Sequence, residues 1–178
     1  MRPVRYNVAA SLDGYIADPR GEYDWIPPEP AIDFGALFRD VDTVLLGRHS
    51  YELVRRDPAA ATWPAGARVL VFSRTLRPAE HPGVTVIAQE AAGVVAGLRA
   101  EPSGGDIWLY GGGALFGSLL AAGQVDRVEV TVIPILLGGG VPLLPPQDTR
   151  TPLALEHVAQ YPSGQVSLHY AVTSARAP

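Results

Sequence analysis

The chain has 178 residues, a formal net charge of −4, 47% hydrophobic residues and no cysteine. That length and apolar fraction suit one domain, residues 1–178, with a core of its own. The thin charge, with no block of basic residues, argues against nucleic acid as a partner, and the lack of cysteine rules out disulfides, thiol catalysis and cysteine-ligated zinc.

The N-terminal stretch MRPVRYNVAASLDG lacks the unbroken apolar core of a signal peptide. The most apolar run, VTVIPILLGGGVPLL, is broken by Pro134 and by Gly138 to Gly140, and falls short of the roughly 20 residues of a membrane span. A cytoplasmic protein without membrane contact is therefore expected.

Short β-branched or aromatic segments predict strands at Val4 to Ala10, Thr43 to Leu46, Arg68 to Phe72, Val84 to Ile87, Ile107 to Tyr110, Val128 to Ile133 and Gln165 to Val172. Apolar residues recurring every three or four positions predict helices at Ala31 to Arg39, Arg48 to Arg55, Ala91 to Ala100 and Ala114 to Ala122. Clusters of Pro and Gly place loops at 18–30, 57–66, 101–105, 138–148 and 161–164. Strand and helix alternate, so the fold class expected is α/β: a mostly parallel central sheet with helices on both faces and an antiparallel C-terminal edge. Ligands of such sheets sit at the C-terminal ends of the strands.

Three strand ends carry groups suited to an anion. DIWLYGGGALFGSLL runs from a strand through Gly111, Gly112 and Gly113 into a helix starting near Ala114; VLLGRHSYE does the same at Gly47, Arg48, His49 and Ser50; VLVFSRTL ends on Ser73, Arg74 and Thr75. Free N–H groups and the helix dipole favour an anion at such a junction. The dinucleotide fingerprint G-x-G-x-x-G fails because Phe116 stands where its third glycine belongs, and the phosphate loop ending in G-K-[ST] is absent. Three phosphate-friendly ends on one sheet edge point to an extended polyanion such as a dinucleotide. The four histidines lack metal-ligand spacing, so no metal is expected.

AASLDGYIA, LLGRHSYE, VFSRTL, LYGGGALFGSLL and VDRVEVTVIPILLGGGVPLL, in this order, resemble the dihydrofolate reductase-like fold. Within it they resemble the bacterial group related to the reductase (RibD C-terminal) domain of riboflavin biosynthesis. The resemblance covers nearly the whole chain and implies a three-layer architecture, a homodimer paired through the apolar last third, and NADPH-dependent hydride transfer to a pyrimidine- or pteridine-type molecule, as in 5-amino-6-(5-phosphoribosylamino)uracil reductase. It implies that Ala9 and Ile16 meet the nicotinamide, that Gly47, Arg48, His49 and Ser50 hold the pyrophosphate and 2′-phosphate region, and that Ser73 and Arg74 hold the adenosine end. Gly111, Gly112, Gly113 and Ala114 would close on the pyrophosphate from the other side, with the Gly111–Gly112 bond cis. Ser11, Asp13, Trp25 and Asp33 are the candidates for the substrate end, Asp33 ahead of Glu29 as the carboxylate. Neither Arg48 nor Arg74 is expected to have an acidic residue beside it, which favours NADPH over NADH. The zinc deaminase signature H-x-E with P-C-x-x-C is not present in a chain without cysteine. A dihydrofolate reductase proper and a non-catalytic nucleotide-binding protein are the alternatives.

Overall fold

A computed structural model describes residues 1–57 and 63–173. The chain runs β1 (Val4–Ser11), β2 (Tyr15–Ala17), α1 (Phe34–Leu37), β3 (Val41–Gly47), α2 (Arg48–Arg56), β4 (Arg68–Phe72), β5 (Thr85–Ile87), α3 (Ala91–Arg99), β6 (Asp106–Gly111), α4 (Gly113–Ala121), β7 (Arg127–Ile133), β8 (Val141–Pro142), β9 (Leu153–Gln160) and β10 (Val166–Val172). Eight strands form one sheet in the order β5-β4-β3-β6-β1-β7-β10-β9, and β2 pairs with β8 in a separate ribbon. The pairs from β5 across to β7 are parallel; β10 runs antiparallel to both β7 and β9. The α/β class and the antiparallel C-terminal edge are as the alternation of patterns required. Part of the loop expected at 57–66, with the alanine run at 59–61, lies outside the described residues.

Strand alternation divides the core between the two faces of the sheet. On one face Tyr6, Leu45, Ile107 and Leu109 pack with Val95, Leu98, Phe116 and Leu119 of α3 and α4. On the other, Val44, Leu46, Val69 and Trp108 pack with Phe38 and with Tyr51 and Val54 of α2, and the Phe38 and Trp108 rings stack 3.9 Å apart. A full set of fully buried aliphatic side chains, each worth about 1.5–3 kcal/mol, holds the layers together.

Two expectations are corrected. The helix expected at Ala31 to Arg39 shrinks to the four residues of α1, because Pro27, Pro28 and Pro30 precede it and Gly35 lies within it. The apolar β7 lies inside the sheet between β1 and β10, and the strand at the C-terminal edge is β9, which the pattern missed. Its sequence LALEHVAQ mixes alanine, charge and glutamine, as befits a strand exposed along most of its length.

Candidate active site

The strand-to-helix junctions of β3 and β6 meet. Gly47 is the N-cap of α2 and Gly112 the N-cap of α4, and neither helix start receives a side-chain hydrogen bond or carries an acidic residue in its first turn. A methyl group on Gly47 would stand 3.6 Å from both the Gly111 carbonyl oxygen and the Gly112 nitrogen, so the two bare helix N-termini lie side by side. The Gly111–Gly112 bond is cis and Gly111 has φ +139, a backbone region that disfavours any residue with a Cβ. Ser50 and Ile16 complete this edge: a methyl on Gly112 would reach Ser50 Oγ at 3.4 Å and Ile16 Cδ1 at 4.0 Å. The third glycine serves packing. A methyl on Gly113 would stand 2.4 Å from the carbonyl oxygen of Pro142, so the missing side chain makes room for that segment.

Arg48 reaches from the start of α2 to Thr75 Oγ1 at 3.0 Å, joining this edge to the turn after β4. It also pairs with Glu52 at 2.8 Å, which corrects the expectation that no carboxylate stands beside it: residues four apart on a helix are neighbours. Arg74 is exposed and makes no hydrogen bond or ion pair among the described residues. Ser73 spends its hydroxyl locally, accepting from the N–H groups of Thr75 and Leu76 at 3.2 and 3.1 Å. His49 and Ala114 are exposed in the first turns of α2 and α4.

Beside this edge lies a cleft of about 900 Å³ between the sheet and the segment leading into α1. Its floor includes Asn7 and Ala9 of β1, Thr131 of β7, Ser167 and His169 of β10, and His157 of β9. Tyr6 pairs with Leu109, so Ala9 stands about level with Gly112 and borders both edge and cleft. The pairings Asn7 with Glu129, Glu129 with His169 and His169 with His157 make one polar row across four strands. Glu129 is buried and takes Arg5 Nε and NH2 at 2.9 and 3.0 Å and Asn7 Nδ2 at 2.8 Å. Burial acts to raise its pKa, but the hydrogen bonds from Arg5 and Asn7 and the Arg5 charge outweigh it and hold the carboxyl below its usual range. Burial pushes His169 below the usual imidazole value, opposed only in part by Glu129. In the next row Thr131 and Ser167 share a hydrogen bond of 2.7 Å. Tyr23 lines the cleft and bonds Asp57; that bond, with burial behind it, raises the phenol to about 12.

Asp33 lines the cleft: one carboxylate oxygen accepts the Ala36 N–H at 2.9 Å, and the other makes no hydrogen bond among the described residues. Glu29 lines it too, but its oxygens accept the N–H groups of Ala31 and Ser163 at 3.0 and 3.2 Å. Ser11, Asp13 and Trp25 are not part of the lining. Asp13 accepts Ser11 Oγ at 2.6 Å and the N–H groups of Leu137 and Gly138 at 3.1 and 2.7 Å, while Ser11 also accepts from the Tyr15 N–H. The motif SLDG thus ties the end of β1 to the glycine-rich loop, and those bonds hold the Asp13 carboxyl low. Trp25 donates to the Glu22 carbonyl at 3.1 Å within its own loop; Tyr23, Phe34 and Tyr161 line the cleft in its place. The polar floor row was not anticipated, although its signal is in the sequence: Asn7, Glu129, Thr131, Ser167 and His169 alternate with apolar residues along their strands.

The model of the RibD C-terminal domain family matches residues 2–167. The chain belongs to the RibD C-terminal domain family. Two Bacillus subtilis (strain 168) proteins are similar along their length: YwjB is 35% identical over 92% of this chain and 94% of its own, and YyaP 30% over 95% and 94%. The RibD C-terminal domain fold itself recurs in a Shewanella sp. PV-4 protein assigned to riboflavin biosynthesis, with a TM-score of 0.80, 28% identity and coverage of 98% of this chain and 100% of that one. It recurs in a Thermotoga maritima diaminohydroxyphosphoribosylaminopyrimidine deaminase/5-amino-6-(5-phosphoribosylamino)uracil reductase, with a TM-score of 0.68, 19% identity and coverage of 97% and 57%. Among the described residues no helix is long and apolar enough to cross a membrane, and no group of His, Cys, Asp or Glu is placed to hold a metal ion.

Proposed function

We propose that this chain is an NADPH-dependent reductase that passes a hydride to a pyrimidine- or pteridine-type acceptor. One observation carries the reading: two helices begin on adjacent glycine N-caps with their N–H groups unclaimed by any side chain, at a strand edge that borders a cleft through Ala9. Such a pair of N-termini suits a diphosphate, and the cleft is the size of a small-molecule site. The Thermotoga maritima relative, named as a 5-amino-6-(5-phosphoribosylamino)uracil reductase, supports the same chemistry.

In this reading the bound cofactor supplies the hydride, and the chain supplies position. Gly47, Gly111, Gly112, Ser50 and the first turn of α4 with Ala114 hold the diphosphate. Arg48, Arg74, His49 and Ser73 lie towards the adenosine and its 2′-phosphate, and Ile16 and Ala9 flank the nicotinamide. The free oxygen of Asp33 holds an N–H edge of the acceptor, while Asp13 and Ser11 keep the loop after β1 in place. Holding two reactants in register accounts for most of what such a site contributes to rate.

The test is NADPH consumption in the presence of pteridines and aminopyrimidines, joined to calorimetric binding of NADPH and NADH. Reduction of at least one acceptor and tighter binding of NADPH are expected; cofactor binding with no acceptor reduced would leave a nucleotide-binding protein. Because Glu52 already neutralises part of the Arg48 charge, Arg74→Ala is expected to remove the larger share of the preference, roughly tenfold for a charge-assisted hydrogen bond of about 1.5 kcal/mol.

The homodimer is part of the proposal, with its interface moved from β7 to β9. The register shift beside His169 puts Leu153, Leu155 and Val158 opposite Val172, Tyr170 and Leu168, all on one face, and all three are exposed on the edge strand. A second copy would cover them. Light scattering is expected to give a dimer, and Leu155→Glu a monomer.

A further inference from the structure

Resting on the reading of the cleft as the acceptor site, we propose that its occupant is a planar nitrogen heterocycle without a phosphate group, neutral or cationic at the atoms it buries. The Thermotoga maritima relative is named for a phosphoribosyl substrate. Proteins hold a phosphate dianion with arginine, lysine or the N–H groups of a helix start. Among the described residues the cleft lining has no arginine or lysine, and its one helix start, that of α1, is already taken by the Asp33 carboxylate. Its formally charged groups are Glu29 and Asp33, both carboxylates.

Other sources of positive charge are closed off as well. The chain contains no lysine. Arg5, two residues before Asn7 on β1, is occupied by Glu129 and Asp106. The one helix that starts at the cleft is a single turn, and the Asp33 carboxylate already occupies its start. His169 is held towards its neutral form by burial, and the hydrogen bonds to Glu29 keep that carboxyl ionised. A phosphate would thus enter a site whose fixed charge repels it.

The groups that remain fit a different ligand. Asp33 offers an acceptor for an amino group or a protonated ring nitrogen. His157 and His169 line the floor with their rings 5.4 Å apart and make no hydrogen bond among the described residues. Ile26, Ile32, Phe34 and Leu37 supply apolar surface for a flat ring. A volume of about 900 Å³ admits a bicyclic ring or a nucleoside-sized compound.

The experiment is calorimetry on the intact chain with two compounds, 5-amino-6-(5-phosphoribosylamino)uracil and the same molecule freed of its phosphate, each repeated with Asp33→Asn and with Ala36→Arg. The phosphate-free compound is expected to bind at least tenfold more tightly. Asp33→Asn, which keeps an acceptor for the Ala36 N–H, should narrow that gap at least threefold, and Ala36→Arg, at an exposed position on the cleft wall, should narrow it by restoring a cation. Equal or tighter binding of the phosphorylated compound overturns the inference, as does binding of neither. If the phosphate-free compound binds in the expected order but neither compound consumes NADPH, the reductase reading fails and the assignment of the cleft stands.

Discussion

The two parts of the candidate site treat helix ends in opposite ways. At the cleft α1 starts on Asp33, which accepts the Ala36 N–H, and on the far face of the sheet α3 starts on Glu90, which accepts those of Ala92 and Gly93. At the β3–β6 edge α2 and α4 start on glycine, with no side-chain acceptor at all. Glycine in place of a side-chain N-cap costs a helix only a few tenths of a kcal/mol, so two such starts in contact forgo less than about 1 kcal/mol while leaving their N–H groups open. The contrast teaches that this chain caps α1 and α3 with its own carboxylates and leaves open α2 and α4, the two that meet at the proposed cofactor edge. The same division separates an edge served by Arg48 and Arg74 from a cleft lined by Glu29 and Asp33.

The largest expected effect falls in the buried pair beneath the cleft floor. Glu129→Gln removes the charge that answers Arg5 in a buried pair and should cost about 3 kcal/mol in chemical denaturation, while leaving NADPH affinity nearly as it was. A matching loss of cofactor binding would show that floor and edge are not separable. The edge should behave in reverse. Gly47→Asp gives α2 a side-chain cap and should hold or slightly raise stability, yet weaken NADPH binding at least tenfold by calorimetry, since a carboxylate would stand at the proposed diphosphate site. An unchanged affinity would remove the anion site from that position.

The smallest effect is one of pH. The folded-state pKa values of Glu129 and His169 both lie below their ordinary values of 4.5 and 6.5. A depressed pKa contributes stability that is complete above the unfolded value and is lost as pH falls through the folded one. Stability should therefore decline first as pH falls below about 6.5, from His169, and again below about 4.5, from Glu129. His169→Gln should flatten only the first decline in melting curves taken across that range; a decline unchanged by the substitution would assign it to another group.

Much of this edge was legible in the sequence because its signals are local. Gly47-Arg48 and the run Gly111 to Gly113 each sit within a few residues of the strand and helix they join, and the structure adds only that they touch. The role of Gly113 was not legible, because its reason is the carbonyl of Pro142, nearly thirty positions away. The cleft floor was harder for the same reason. Asn7, Glu129, His169 and His157 become one row only through the pairing of four strands. Period-two alternation within each strand marks them as sharing a face but does not say with whom. Asp13 illustrates the converse: its motif stood out, and its carboxylate bonds Leu137 and Gly138 in place of lining the cleft. No pattern within SLDG distinguishes a carboxylate that meets a ligand from one that meets a distant loop.

The contact between Gly47 and the Gly111–Gly112 pair has a practical corollary. An alanine scan reports by deletion, and at these three positions it has nothing to delete; every substitution adds atoms. The spacing of the two N-termini is fixed by the main chain of neighbouring strands, which no side-chain truncation alters. Such a site stays invisible to a survey that looks for loss, and comes into view only by insertion, with a substituent graded in size from methyl upward until the ligand is refused.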